Sequence, residues 1–168
     1  MGKVDRDLAV LHQLGLRAVA ALNTHVHADH VSSSFALRAK VPGCRSGIAA
    51  AAGAAADLCL ADGDAVPFGG RSLRVIATPG HTAGCLSFAL DTGGAVFTGD
   101  ALLVRGCGRT DFQGGSPAAL YASVHERLFA LPAETRVFPG HDYNGFNETT
   151  IGEEVRQLRA QPRQAQRR

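Results

Sequence analysis

Four short apolar runs in this chain each break off at a turn that carries histidine or aspartate. Leu22 runs into Asn23-Thr24-His25-Val26-His27-Ala28-Asp29-His30, and Ala77 into Thr78-Pro79-Gly80-His81. Thr98 runs into Gly99-Asp100, and Phe138 into Pro139-Gly140-His141. Short runs rich in β-branched and aromatic residues and bounded by Gly and Pro read as strands. Loops at strand ends are where α/β architectures place their chemistry. The pattern predicts an α/β fold in which several strand ends supply one cluster of polar side chains.

The remaining segments fill in around these strands. Val4, Leu8, Leu11 and Leu14 share a helical face, and Gly15 stops that helix. Residues 17–22 form a short strand. Residues 31–40 read as a second helix, ended by Val41-Pro42-Gly43. A strand near 45–48 and an Ala-rich helical turn over 49–56 follow. From 57 to 98 the pattern turns to strands and tight turns, with a hairpin signature at Asp91-Thr92-Gly93-Gly94. Residues 117–129 have helical spacing with Pro117 in the first turn. The last 20 residues start helical, and 155–168 read as a frayed basic tail. There is no internal repeat, so residues 1–168 are expected to form one domain.

Composition excludes several function classes. Of 168 residues 45% are hydrophobic and 19% charged, which suits a packed core rather than a disordered chain. The net charge is only +2, and the Arg residues are scattered, so the basic stripe a nucleic-acid backbone needs is missing. Trp is absent and aromatics are 6%, which leaves no base-stacking platform. No apolar run approaches the roughly 18 residues of a membrane span. The polar opening Met1-Gly2-Lys3-Val4-Asp5-Arg6-Asp7 is unlike a signal or transit peptide. The cysteines Cys44, Cys59, Cys85 and Cys107 lack CxxC spacing and read as reduced thiols, with Cys85 and Cys107 expected to pack in the interior.

The hexapeptide from His25 to His30 packs four ligand-type side chains together. His25 and His27, two apart, point the same way from an extended backbone. With His81, Asp100 and His141 the set is seven candidates. Imidazole suits zinc and iron, and carboxylate completes such sites. His25, His81 and Asp100 are expected as ligands. His27, Asp29, His30 and His141 are expected either as further ligands or as groups that orient them. His12 and His125 fall outside the set.

These motifs resemble the metallo-β-lactamase superfamily. The matching segments are Thr24-His25-Val26-His27-Ala28-Asp29-His30, Thr78-Pro79-Gly80-His81-Thr82, Phe97-Thr98-Gly99-Asp100 and Phe138-Pro139-Gly140-His141-Asp142. Within it, the stretch Gly99-Asp100-Ala101-Leu102-Leu103-Val104-Arg105-Gly106-Cys107-Gly108-Arg109-Thr110-Asp111-Phe112-Gln113 is similar to the persulfide dioxygenases of the ethylmalonic encephalopathy protein type. Gly80-His81-Thr82-Ala83-Gly84-Cys85 and His141-Asp142-Tyr143-Asn144-Gly145-Phe146 agree with that branch. The resemblance implies a four-layer αββα sandwich. It also implies one Fe(II) per chain on His25, His81 and Asp100, with zinc as the alternative metal. Glutathione persulfide and O2 would be the substrates, and sulfite and glutathione the products. Arg109, with Tyr143, is nominated to meet the glutathione carboxylates; its alternative role is an ion pair with Asp111 or another acid.

Two departures from the family pattern shape the expectations. Only one helix and one strand precede His25, so the sandwich is expected to be N-terminally shortened, with an exposed sheet edge that would favour a homodimer. Only 27 residues follow His141, which leaves no room for the helical glutathione-binding domain of the glyoxalase II branch. The rival readings are a dinuclear zinc hydrolase of glutathione thiolesters and a non-catalytic fragment. The expected compartment is the cytoplasm in a bacterium and the mitochondrial matrix in a eukaryote.

Overall fold

A computed structural model describes residues 3–26, 32–143 and 145–160 of the chain. The described residues form four α-helices, α1 (Lys3–Gln13), α2 (Ser34–Lys40), α3 (Pro117–Ala122) and α4 (Ile151–Ala160). Two sheets lie between them. The smaller is parallel and ordered β1 (Ala20–Leu22), β2 (Arg45–Ala49), β3 (Leu58–Leu60). The larger runs β4 (Ala65–Phe68), β5 (Arg71–Ala77), β6 (Leu86–Leu90), β7 (Ala95–Gly99), β8 (Arg136–Pro139), β9 (Thr149–Thr150). It is antiparallel except where β8 lies parallel to β7.

The period-2 alternation of these strands sorts their side chains into two cores. Val66, Val75, Leu86 and Phe88 face the smaller sheet and pack with Ala49, Leu60, Ala20 and Leu22. Ile76, Ala89, Val96 and Val137 face the other way, onto Leu120, Val124, Leu128 and Ile151. Helix α2 lies on β1 and β2, and α1 is tied to it by the Asp5–Lys40 ion pair at 2.7 Å. The order is helix, sheet, sheet, helix, the αββα sandwich implied by the motifs.

Several elements differ from the expected ones. The helical spacing of 117–129 is realised as α3 followed by a π-helical segment, Ser123–Leu128. Ser116 caps α3, its Oγ accepting from Ala119 N–H at 3.3 Å. The frayed tail expected from residue 155 is corrected: α4 runs to Ala160, because Ile151 is fully buried and Val155 packs against the same core. Residues 161–168 lie outside the described residues. Cys85 is buried as expected, but Cys107 is exposed on the loop after Asp100. Phe97 shares the face of its partner Phe88, yet is 42% exposed and stacks on Phe138 at 5.3 Å between centroids.

Candidate metal centre

The strand-end turns converge. His25 follows β1, His81 follows β5, Asp100 follows β7 and His141 follows β8. Leu86 N–H donates to the Thr24 carbonyl at 2.7 Å and ties the two sheets together, while Gly140 N–H donates to the Gly99 carbonyl at 2.8 Å and ties the ends of β7 and β8. The β7–β8 register shifts between Phe97 and Gly99, and Gly99 takes φ +53°, so the chain turns sharply just before Asp100.

One donor atom from each of His25, His81 and Asp100 lies within 4.8 Å of the others. His81 Nε2 is 3.6 Å and His25 Nε2 is 4.0 Å from Asp100 Oδ2. The two rings meet edge to face, 4.9 Å between centroids. His25 and Asp100 are buried, 3% and 6% exposed. Ligands about 2.1 Å from a cation and about 90–120° apart stand about 3.0–3.6 Å from each other. The observed triangle is slightly wider than that, the spacing a cation at its centre would draw in.

Hydrogen bonds set the direction of each donor. The Arg109 carbonyl can only accept, so His81 Nδ1–H donates to it at 2.7 Å, and Nε2 keeps its lone pair toward the centre. Thr24 Oγ1 lies 2.9 Å from His25 Nδ1, and a proton on Nδ1 keeps the Nε2 lone pair toward the centre in the same way. His141 Nδ1 donates to Asp100 Oδ1 at 2.7 Å, which turns Oδ2 toward the two imidazoles. This is the arrangement by which metal sites fix tautomer and ring orientation. Two imidazole nitrogens and one carboxylate oxygen form a donor set that suits iron or zinc.

Close backbone packing holds this geometry. A Cβ on Gly108 would meet the Asp100 carbonyl at 2.5 Å and His81 Nδ1 at 2.9 Å. Gly80 O accepts from Ser116 N–H at 2.8 Å, and Pro79 O from Ser123 Oγ at 2.7 Å, which anchors the turn bearing His81 to α3. Burial pushes the Cys85 thiol pKa up, against the hydrogen bonds from Thr82 that favour its thiolate. It is a packing residue.

A cavity of about 330 Å³ opens on the centre, lined by His25, His81, Asp100, Arg109, Phe112, Gln113, His141 and Tyr143. That is within the roughly 300–1,000 Å³ of small-molecule sites. Of the residues singled out in the sequence, His25, His81 and Asp100 meet at one point and His141 touches Asp100. Tyr143 stacks on the His141 ring, 5.7 Å between centroids. Arg109 reaches the cavity, while its guanidinium forms a two-pronged ion pair with Asp111 at 2.7 and 3.0 Å. His27, Asp29 and His30 lie outside the described residues. His12 and His125 stand apart, His125 stacked on Tyr121. Sequence reasoning did not single out Phe112, Gln113 or the Thr24 hydroxyl as site residues. Thr24 was quoted only within the motif, and its place beside His25 was the available signal.

Sandwich, strand-end donors and shared cavity together define an αββα fold with one candidate metal site among the described residues. The chain matches the Metallo-beta-lactamase superfamily over residues 45–141, and it belongs to that superfamily. Among its curated relatives, the "Persulfide dioxygenase ETHE1, mitochondrial" of Homo sapiens is 52% identical over 149 residues, covering 89% of this chain and 59% of that protein. The "Hydroxyacylglutathione hydrolase" of Methylococcus capsulatus is 41% identical over 145 residues, covering 83% of this chain and 54% of that one. The crystal structure of ETHE1 from Myxococcus xanthus superposes with a TM-score of 0.87 at 47% identity, covering 92% of this chain and 67% of that one. The chain thus spans less than two-thirds of the length of these curated relatives. No helix among the described residues is long and apolar enough to cross a membrane.

Proposed function

We propose that the chain is a glutathione-dependent persulfide dioxygenase that uses a single Fe(II) held by His25, His81 and Asp100. The observation that supports this most is the role of the segment 99–113 at the site. Its Asp100 supplies the carboxylate, its Arg109 carbonyl orients His81, and its Phe112 and Gln113 line the cavity. This is the stretch whose sequence is most like the persulfide dioxygenases, and identity is higher to the human enzyme of that name, 52%, than to the bacterial thiolester hydrolase, 41%.

The overall reaction takes glutathione persulfide, O2 and water to glutathione and sulfite. The outer sulfur leaves its disulfide-type bond and loses four electrons, O2 accepts them, and the remaining thiolate takes up a proton. A ferrous ion would supply the electron-transfer chemistry. The protein's own residues do the rest. His81 is held in one tautomer by the Arg109 carbonyl, and Asp100 in one orientation by His141. Phe112 gives the cavity an apolar wall. The Arg109 guanidinium at the cavity's rim is a fork that suits a glutathione carboxylate once it exchanges its Asp111 partner, and Tyr143 lines the same cavity.

The test is oxygen uptake by the iron-loaded chain on addition of glutathione persulfide. The expected result is one O2 consumed and one sulfite formed per persulfide. A folded, iron-replete sample that takes up no oxygen would overturn the proposal. Two zinc ions per chain with hydrolysis of a glutathione thiolester would replace it by the hydrolase reading.

A further inference from the structure

We infer that Glu154, on α4, is a positioning residue for the candidate metal centre, acting through the turn that follows Asp100. Its side chain is completely buried. Carboxylates are almost never fully buried without a specific partner, because the interior cannot replace their hydration. Glu154 does not touch His25, His81, Asp100 or the cavity. Its Oε2 accepts from the backbone N–H of Arg105 at 2.9 Å.

Arg105 is where this contact matters. It adopts φ +59°, one of two non-glycine residues among those described with left-handed backbone. Such a conformation is unfavourable for a residue with a Cβ and persists when its surroundings impose it. The Arg105 turn is narrow: Leu103 and Gly106 exchange backbone hydrogen bonds across it, at 2.8 and 3.4 Å. The Arg105 guanidinium adds an ion pair to Glu153 at 3.3 Å, next to Glu154 on α4. The turn is therefore held to one helix by two consecutive glutamates, one at the surface and one buried.

From the turn the chain runs directly into the centre. Gly108 N–H donates to the Asp100 carbonyl at 2.7 Å, and the Arg109 carbonyl accepts from His81. Gly108 packs so closely on Asp100 and His81 that even a methyl group would collide with them. A shift of the 103–106 turn has little slack to take it up before it reaches two of the three donors. Thr149 lies beside the carboxylate, and burial raises the Glu154 pKa. Glu154 Oε1 and Thr149 Oγ1 are buried with no hydrogen-bond partner among the described residues. The carboxylate is thus committed to the turn.

The inference rests on the metal-site assignment and not on the persulfide chemistry, so its test reads metal binding directly. Co(II) is titrated into the metal-free chain and followed by its visible absorption. In Glu154→Ala the Arg105 N–H loses its acceptor. The expected result is Co(II) affinity weaker by about 10-fold or more, with displaced absorption bands. Glu154→Gln keeps an oxygen at the same reach and is expected to stay within about threefold of the unmutated chain. Ile151→Ala, in the same helix and the same core, controls for lost stability: it is expected to lower the melting temperature and leave Co(II) affinity unchanged. Arg105→Gly, which takes the left-handed turn without strain, is expected to recover much of the affinity lost in Glu154→Ala. If Glu154→Ala does not fold, Glu154→Asp, one methylene too short to reach, carries the same expectation. Unchanged affinity and spectrum in a folded Glu154→Ala or Glu154→Asp chain overturns the inference. So does an affinity loss of equal size in Ile151→Ala. An unmutated chain that binds no Co(II) overturns the metal-site assignment itself.

Discussion

Gly140→Ala is the substitution whose effect follows most directly from the geometry. Gly140 lies between β8 and His141, and its backbone is not left-handed, so alanine meets no conformational penalty there. The penalty is steric. The new Cβ would sit 2.8 Å from Asp100 Oδ1 and 3.1 Å from Gly99 Cα, whereas ordinary contact begins near 3.4 Å. Relief needs a movement of about 0.6 Å, and overpacking of this kind costs about 1–3 kcal/mol. Two parts can yield. If Asp100 rotates, its Oδ2 leaves the position facing the two imidazoles. If the backbone at 140 withdraws, it carries His141 off Asp100 Oδ1, now 2.7 Å away. Both routes disturb the same donor, so metal affinity is expected to fall about 10–100-fold, about 1.4–2.8 kcal/mol. The melting temperature is expected to fall by about 3–9 °C. The assay is Co(II) titration with thermal unfolding of the metal-free chain. Gly94→Ala serves as the control, because nothing lies within 4 Å of its Cβ. Unaltered affinity in a folded Gly140→Ala chain would refute the view that Asp100 is held by contact with this turn.

Arg109→Ala is expected to raise KM for glutathione persulfide about 10-fold while leaving metal content unchanged, because the carbonyl that orients His81 remains; steady-state kinetics with metal analysis checks it. Leu128→Ala empties a fully buried position between the larger sheet and the helices and is expected to cost about 2–5 kcal/mol in urea unfolding. Asp62 is held below its ordinary pKa, first by the Arg127 guanidinium and then by the Ala77 N–H. A depressed carboxylate stabilises the fold above its unfolded pKa and loses that contribution as pH falls through the folded value. Asp62→Asn is therefore expected to flatten the acid side of the stability profile, as melting curves from pH 2 to 7 would show, with only a small effect because the pair is exposed.

The strand-end pattern was legible because it is local. Apolar runs ending at Pro79-Gly80 or Pro139-Gly140 declare both strand and turn, and the donor at each end lies within two residues of it. The 91–94 hairpin and the Gly15 helix stop declare themselves the same way. Strands β3, β4 and β9 did not, since two to four residues carry too little periodicity, and Pro67 within β4 argues against a strand in sequence terms. The π-helical segment has the same apolar spacing as an α-helix. Glu154 was the least legible of all. A glutamate in the first turn of a terminal helix reads as solvent-facing, and its partner Arg105 stands 49 residues away. Its burial follows from how α4 packs across the loop after β7, a tertiary fact with no local signature.

The number of metal ions these side chains hold is the most direct measure of a single centre. Anaerobic reconstitution with excess Fe(II), removal of loosely bound metal and quantification per chain measures it. The expected result is one tightly held iron in the unmutated chain and none in His81→Ala. Two ions in the unmutated chain, or one retained after loss of His81, would contradict a single centre built by residues 25, 81 and 100.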